Sequence, residues 1–261
     1  MLNYDLIDNQ KSEYIVLLHG YGGNSRCFKK QLEVLSKFFN IILIDMHGHG
    51  KSSNIHLNIT EKDILKTITR DIHNTILSLG VKKAHFMGLS LGTIVANTYA
   101  IYYPESVLSV LNVGAVIKFK STIRYLLKLL YKFKKIIPRN MIYPLAGTII
   151  MPQKSHQLSR KLFIRESKKM NSNDFYNWAK ILIEFQDTYL FENIKNINTI
   201  YISGMDDYFF IKEVKSYCIR ENITFYQLEN AGHICNIDNY KDFNILIEKI
   251  YFNLTKCIDI A

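Results

Sequence analysis

His85-Phe86-Met87-Gly88-Leu89-Ser90-Leu91-Gly92-Thr93-Ile94-Val95-Ala96 reads as a short apolar strand, a Gly-x-Ser-x-Gly turn and the start of an apolar helix. Gly88 and Gly92 carry no Cβ, so strand and helix can approach closely and the serine between them can take a strained backbone conformation. Its hydroxyl is then held out of the fold. The N–H of Leu91 falls at a helix N-terminus, where a developing negative charge is stabilised. A lone Gly-x-Ser-x-Gly is a weak pattern, so its meaning depends on what the rest of the chain supplies.

Working outward, strands alternate with helices on both sides of this turn. Leu2–Ile7, Tyr14–Leu18 and the continuous apolar run Ile41–Ile44 are predicted strands, the last covered on both faces. Apolar Phe28, Leu32, Leu35 and Phe38 recur at helical spacing between them. A helix is predicted from Ile64 to Leu79, with Thr60 as N-cap and Asp63 as the acid of a capping box. Ala84–Gly88 leads into Ser90, and the helix after it runs to about Tyr103. Val107–Val113 is the next strand. The alternation then lapses over residues 117–192, which show helical spacing only. It resumes with strands Thr199–Ser203 and Ile223–Leu228, a helix near Ile211–Cys218 and a last helix over Tyr240–Leu254. Such alternation predicts a mostly parallel α/β sheet with its site at the strands' carboxyl ends.

Composition narrows the class. A chain of 261 residues that is 48% hydrophobic and 21% charged can bury a sizeable core in one α/β domain with an insertion. No apolar run reaches the roughly 18 residues a membrane span needs. Met1–Asp5 shows neither a basic n-region nor an apolar h-region, so no secretory signal is expected. Cys27, Cys218, Cys235 and Cys257 have no Cys-x-x-Cys spacing. Four reduced thiols in a cytoplasmic protein are expected.

A serine hydroxyl is a poor nucleophile at neutral pH; it needs a histidine base, and the histidine needs a carboxylate to fix its tautomer. Gly204-Met205-Asp206-Asp207 and Ala231-Gly232-His233 each follow a predicted strand, which puts carboxylate and imidazole at strand carboxyl ends. His19-Gly20-Tyr21-Gly22-Gly23 follows the first long buried strand. Its backbone can aim the Tyr21 N–H at the same oxyanion as Leu91.

These pieces, together with Asp45-Met46-His47-Gly48-His49-Gly50-Lys51-Ser52, resemble the α/β-hydrolase superfamily over nearly the whole chain. The resemblance implies the α/β-hydrolase fold, with residues 1–116 and 193–261 as its core and residues 117–192 as a helical cap (lid). It implies Ser90 as nucleophile, His233 as base and Asp207 as orienting acid, with backbone N–H groups of Tyr21 and Leu91 forming the oxyanion hole. Asp206, beside Asp207, leaves the acid ambiguous. Asn112, where some relatives place the acid, cannot serve, being an amide. Asp45 is implied to fix loops, and with His47 and His49 it is expected to pack rather than bind metal. His19 is expected to support the oxyanion loop, and His156 to be exposed. No cofactor or metal is expected. The reaction implied is hydrolysis of an ester-like acyl bond, of a carboxylic ester such as a monoglyceride or lysophospholipid. The same triad also serves thioesterases, enol-lactone and C–C bond hydrolases, and a ligand-receptor role is a further alternative. A serine at the elbow argues against epoxide and haloalkane hydrolases.

The chain's formal charge of +10 is unevenly spread. Between Lys118 and Glu192 there are fifteen Lys and Arg against five acids, while the remainder carries eighteen of each. Ile123, Leu126, Leu127, Leu130, Phe133 and Ile137 form an apolar stripe beside Arg124, Lys128, Lys132 and Lys135. This basic face suits three roles: a solvated outer face, contact with an anionic membrane surface, or attraction of an anionic substrate. Nucleic acid is not an expected partner, since no recognised binding motif interleaves the basic residues with aromatics. Leu126, Leu130, Met141, Ile149, Ile150, Met151 and Phe163 in the same segment point to a small-molecule ester substrate with an apolar moiety.

Overall fold

The computed structural model describes residues 1–58, 63–119, 121–134, 136, 139–185, 194 and 196–258. Its strands are β1 (Tyr4–Ile7), β2 (Tyr14–Leu18), β3 (Asn40–Ile44), β4 (Ala84–Leu89), β5 (Val107–Val113), β6 (Asn198–Gly204) and β7 (Thr224–Leu228). They form one sheet in the order β1-β3-β2-β4-β5-β6-β7, with β1 antiparallel to β3 and every other pair parallel. The chain moves from β2 out to β3 and then returns to add β4 on the other side of β2. The strand order therefore reverses at β2, and the crevice beyond the carboxyl ends of β2 and β4 is where an open α/β sheet places its ligand. The loop at His19–Gly23 and the turn at Ser90 both open into it.

The helices are α1 (Leu32–Leu35), α2 (Ile64–Ser78), α3 (Leu91–Tyr102), α4 (Ser121–Lys132), α5 (Arg139–Ile150), α6 (Gln157–Ser167), α7 (Ser172–Glu184), α8 (Ile211–Arg220), α9 (Cys235–Asp238) and α10 (Tyr240–Ile258). Side chains of the central strands alternate between the sheet's two faces, and both faces are covered. Val16, Leu18, Ile42, Ile44 and Phe86 pack with Ile94 and Val95 of α3 and Ile68 and Ile72 of α2. Ile15, Leu17, Ile41, Leu43 and Met87 pack with Phe243, Ile247 and Tyr251 of α10. This two-sided burial explains the uninterrupted apolar runs of the parallel strands. Helices α4 to α7 lie between β5 and β6, where the strand pattern lapses. Among the described residues no helix is long and apolar enough to cross a membrane.

Several local expectations are corrected. The spacing of Phe28, Leu32, Leu35 and Phe38 marks a buried face, but the chain forms only a short 3₁₀ turn (Ser25–Phe28) and the single-turn α1. Gln31, between them, is drawn inward to donate to the Asn236 carbonyl at 2.9 Å and the Asn244 side chain at 3.0 Å. Asp63 is itself the N-cap of α2, accepting from the Lys66 N–H at 3.1 Å. Thr60 lies outside the described residues, as do Asp187, Glu192 and the side chains of Ile123, Leu126, Leu130 and Ile137.

Candidate active site

Ser90 sits between β4 and α3 with φ 53° and ψ −113°, a left-handed conformation that side chains rarely adopt. Such a residue costs of order 1–3 kcal/mol and persists only where its surroundings over-determine it. Here they do. The Ser90 N–H donates to the Val113 carbonyl at 2.9 Å, and its own carbonyl accepts from the Thr93 N–H at 2.9 Å and the Thr93 hydroxyl at 2.6 Å. A Cβ on Gly92 would lie 2.1 Å from the Leu18 carbonyl oxygen, and one on Gly88 2.4 Å from the Gly92 oxygen. Only glycine fits either place, so the two glycines press the turn against β2.

The raised hydroxyl meets an imidazole. Ser90 Oγ is 2.8 Å from His233 Nε2, and His233 Nδ1 is 2.8 Å from Asp207 Oδ2. Asp207 is fully buried and His233 nearly so. A carboxylate at Nδ1 holds the proton on that nitrogen and leaves Nε2 as the acceptor for the serine hydroxyl. Asp206, next in sequence, points elsewhere: it accepts from the Tyr208 hydroxyl at 3.2 Å and lies 3.7 Å from His156 Nε2. Asn112 is occupied in a buried amide pair with Asn97, at 3.0 and 3.3 Å.

Leu91 opens α3, so its N–H belongs to the first turn, whose donors have no partner within the helix. Gly20 and Tyr21 come up against Ser90; a Cβ on Gly20 would stand 3.3 Å from that of Ser90. The Tyr21 ring stacks on Phe175 of α7 at 5.2 Å, and its hydroxyl donates to the Phe175 carbonyl at 2.9 Å. The inserted helices thus brace the loop beside the serine.

Buried polar groups hold that loop from below. His19 Nε2 accepts from the Met46 N–H at 3.0 Å, and His49 Nε2 accepts from the Gly22 N–H at 3.0 Å. In each ring Nδ1 is then the donor, to the Gly20 carbonyl (2.9 Å) and the His47 carbonyl (2.9 Å) respectively. The Asp45 carboxylate accepts from the N–H groups of Ser25 and Lys51, both at 2.7 Å. These side chains spend their polar atoms on backbone. Burial lowers the pKa of His19, and burial together with neighbouring His19 takes His49 well below the ordinary range.

Both rings are therefore neutral in the fold, whereas in the unfolded chain each takes a proton near pH 6.5. Below that pH the unfolded state binds more protons, so stability falls as pH falls toward the folded-state values. Asp238, raised by burial, works in the opposite direction. Burial also lowers His73 and His85, so the expected result is a melting temperature that is level above about pH 7 and drops between about pH 6.5 and 5, with a slope of up to about four protons. A melting temperature unchanged across that window contradicts neutral, buried His19 and His49.

His156 is a correction. Expected at the surface, it is fully buried. The segment leading into α6 docks on the loops that follow β6 and β7, and the imidazole fills the space a Gly232 side chain would take; a Cβ there would come within 2.6 Å of it. Around it the Gly232 N–H donates to Asp238 at 3.0 Å, and the Ser159 hydroxyl donates to the His156 carbonyl at 3.0 Å. A latch from the inserted segment thus lies directly behind His233. Its only trace in the sequence is the glycine before that histidine.

The serine opens into a pocket with about 1150 Å³ of space, counting its mouth to solvent. Its lining comes from the core (Leu89, Val116, Phe210, Ile234) and from the inserted helices (Leu127, Ile142, Ile150, Phe163, Leu182). Besides Ser90 and His233, the tyrosines 21, 131 and 176 bring oxygen atoms to it, and among the described residues no Lys, Arg, Asp or Glu lines it. Met141 and Ile149, expected with the apolar lining, turn outward instead and are 64% and 44% exposed.

Residues 13–240 match the alpha/beta hydrolase fold family. A curated relative, the pimeloyl-[acyl-carrier protein] methyl ester esterase of Vibrio campbellii, is 31% identical over 105 residues, 40% of this chain and 38% of that protein. The match thus spans about two fifths of the relative's length. Among solved structures, an esterase from Exiguobacterium antarcticum superposes with a TM-score of 0.77 at 20% identity, covering 96% of this chain and 95% of that one. The enol-lactonase from Burkholderia xenovorans superposes with a TM-score of 0.77 at 16% identity, covering 97% and 96%.

Proposed function

Because the chain belongs to the alpha/beta hydrolase fold family, we propose that it is a serine hydrolase that cleaves carboxylic esters with an apolar acyl or alcohol group. The observation that carries this reading is the relay of two 2.8 Å contacts from Ser90 through His233 to Asp207, opening into a pocket with no charged side chain among the described residues. Ser90 attacks the ester carbonyl carbon while His233 Nε2 takes the hydroxyl proton. Asp207 stabilises the imidazolium and keeps the ring in place. The N–H groups of Tyr21 and Leu91 hold the oxyanion of the tetrahedral intermediate; one such donor is worth on the order of 10²–10³ in kcat. His233 then gives its proton to the leaving alcohol. It next activates a water, which releases the acid from Ser90.

Residues 117–192 act in this reading as a cap that supplies the apolar wall over Ser90, with residues 1–116 and 193–261 as the core. The free thiols Cys27, Cys218 and Cys235 suit the cytoplasm as its compartment. The relatives' names, a methyl ester esterase, an esterase and an enol-lactonase, support attack on an acyl–oxygen bond.

The test is a series of p-nitrophenyl esters of increasing acyl length beside matched thioesters. kcat/KM is expected to rise with each added methylene, by up to about 0.8 kcal/mol or roughly fourfold per group, until the pocket is filled. Turnover of thioesters alone overturns the choice of a carboxylic ester, though not Ser90 as the nucleophile, and a preference for the acetyl ester overturns the pocket as the acyl site.

A further inference from the structure

A second cavity lies against the same loop. It has about 1080 Å³ of space including its mouth and shares Gly20, Tyr21, Leu89, Phe163 and Ile234 with the pocket above Ser90. The two differ in charge. Among the described residues the pocket at Ser90 has no charged side chain in its lining, whereas the second is lined by Arg26, Lys29, Lys30, Arg165 and a single acid, Glu166.

That acid is already neutralised. Glu166 accepts from Arg165 and from Lys169, each at 2.7 Å, and from the Asn24 amide at 2.9 Å. Its carboxyl is held below the usual range by those two cations against the cost of burial. Lys30 lies over the Tyr240 ring at 4.7 Å. Arg26 and Lys29 have no carboxylate within ion-pairing distance among the described residues. Both belong to the 3₁₀ turn and its cap just after the oxyanion loop, fixed by the Asn24 side chain that accepts from the Arg26 N–H at 3.1 Å. That bond sets the backbone, and the exposed side chains of Arg26 and Lys29 stand at the rim of the cleft; cations gathered at a cleft concentrate anions there, and a guanidinium with an ammonium suits a phosphate.

We propose that this second cleft binds a phosphate carried by the leaving group, so that the substrates are acyl esters or thioesters with an apolar acyl chain on one side of Ser90 and a phosphate-bearing alcohol or thiol on the other. The proposal rests on Ser90 as the nucleophile. Cleavage forms the acyl–serine bond, breaks the acyl–oxygen or acyl–sulfur bond and returns the serine proton through His233 to the departing group. Water then releases the acid. The phosphate takes no part in bond making; Arg26 and Lys29 hold it.

Two headgroup sources share this chemistry, a glycerol phosphate and a phosphopantetheine. The test therefore measures calorimetric binding of uncleavable analogues in matched pairs: 1-octylglycerol ether with and without its 3-phosphate, and S-octylpantetheine with and without its 4′-phosphate. In about 20 mM salt the phosphate member of at least one pair is expected to bind about tenfold tighter, and the larger ratio identifies the source. In about 0.5 M salt, and in the Arg26→Glu/Lys29→Glu variant, the ratio is expected to fall below about threefold while binding of the neutral member is unchanged. The milder Arg26→Gln/Lys29→Gln variant gives the same comparison if charge reversal impairs folding. Equal affinities within both pairs, or a ratio that survives both variants, overturns the proposal. Since the analogues are not cleaved, this outcome is independent of whether the protein hydrolyses esters.

Discussion

Ser90→Ala is expected to lower kcat for ester hydrolysis by about 10⁴- to 10⁶-fold with KM changed only a few-fold. The substitution removes one oxygen and nothing else the fold depends on. Ser90 keeps the turn through its backbone, accepting from Thr93 and donating to Val113, and alanine retains the Cβ that already stands in the left-handed conformation. The pocket above Ser90 is unaltered. What is lost is the hydroxyl 2.8 Å from His233 Nε2, and with it the proposed covalent route; residual turnover then reflects direct attack by water. Steady-state kinetics with thermal melts checks both halves. A variant that retains more than about a tenth of wild-type kcat contradicts the mechanism.

The second large effect separates two adjacent carboxylates. Asp207→Asn is expected to cost about 10⁴ in kcat near neutral pH, because an amide facing Nδ1 no longer fixes the proton there and His233 loses its acceptor at Nε2. Asp206→Asn is expected to stay within a few-fold of wild type. Its side chain lies 3.7 Å from His156 and accepts from Tyr208, while His233 Nδ1 pairs with Asp207. The pH–rate profile adds a readout that simple destabilisation does not move, since the shape changes for Asp207→Asn and not for Asp206→Asn. Equal losses in both variants contradict the geometry of Asp207.

The strand–helix alternation and the order of the chemical groups were legible because each rests on local signals. Glycines at Gly88 and Gly92, apolar runs in the parallel strands and loops at strand ends leave their mark within a few residues. What was not legible depends on contacts across the chain. Neighbouring Asp206 and Asp207 differ only in direction, which the turn after β6 decides. His156 reads as a surface histidine until the segment before α6 docks on Gly232. Helix α5 carries apolar residues on so much of its circumference that spacing alone does not say that Ile150 faces the pocket while Met141 and Ile149 face outward. Charge counted by segment makes residues outside 118–192 neutral in sum, and so hides Arg26, Lys29 and Lys30, which the fold gathers with Arg165 along one cleft.

Everything proposed for the reaction depends on Ser90 being an activated nucleophile. Intact-protein mass spectrometry after exposure to a fluorophosphonate, followed by peptide mapping, tests this with no assumption about the natural substrate. The expected result is one adduct per chain, located on the peptide containing Ser90 and absent from Ser90→Ala. A folded wild-type protein that takes up no label, or takes it up at another residue, contradicts the account.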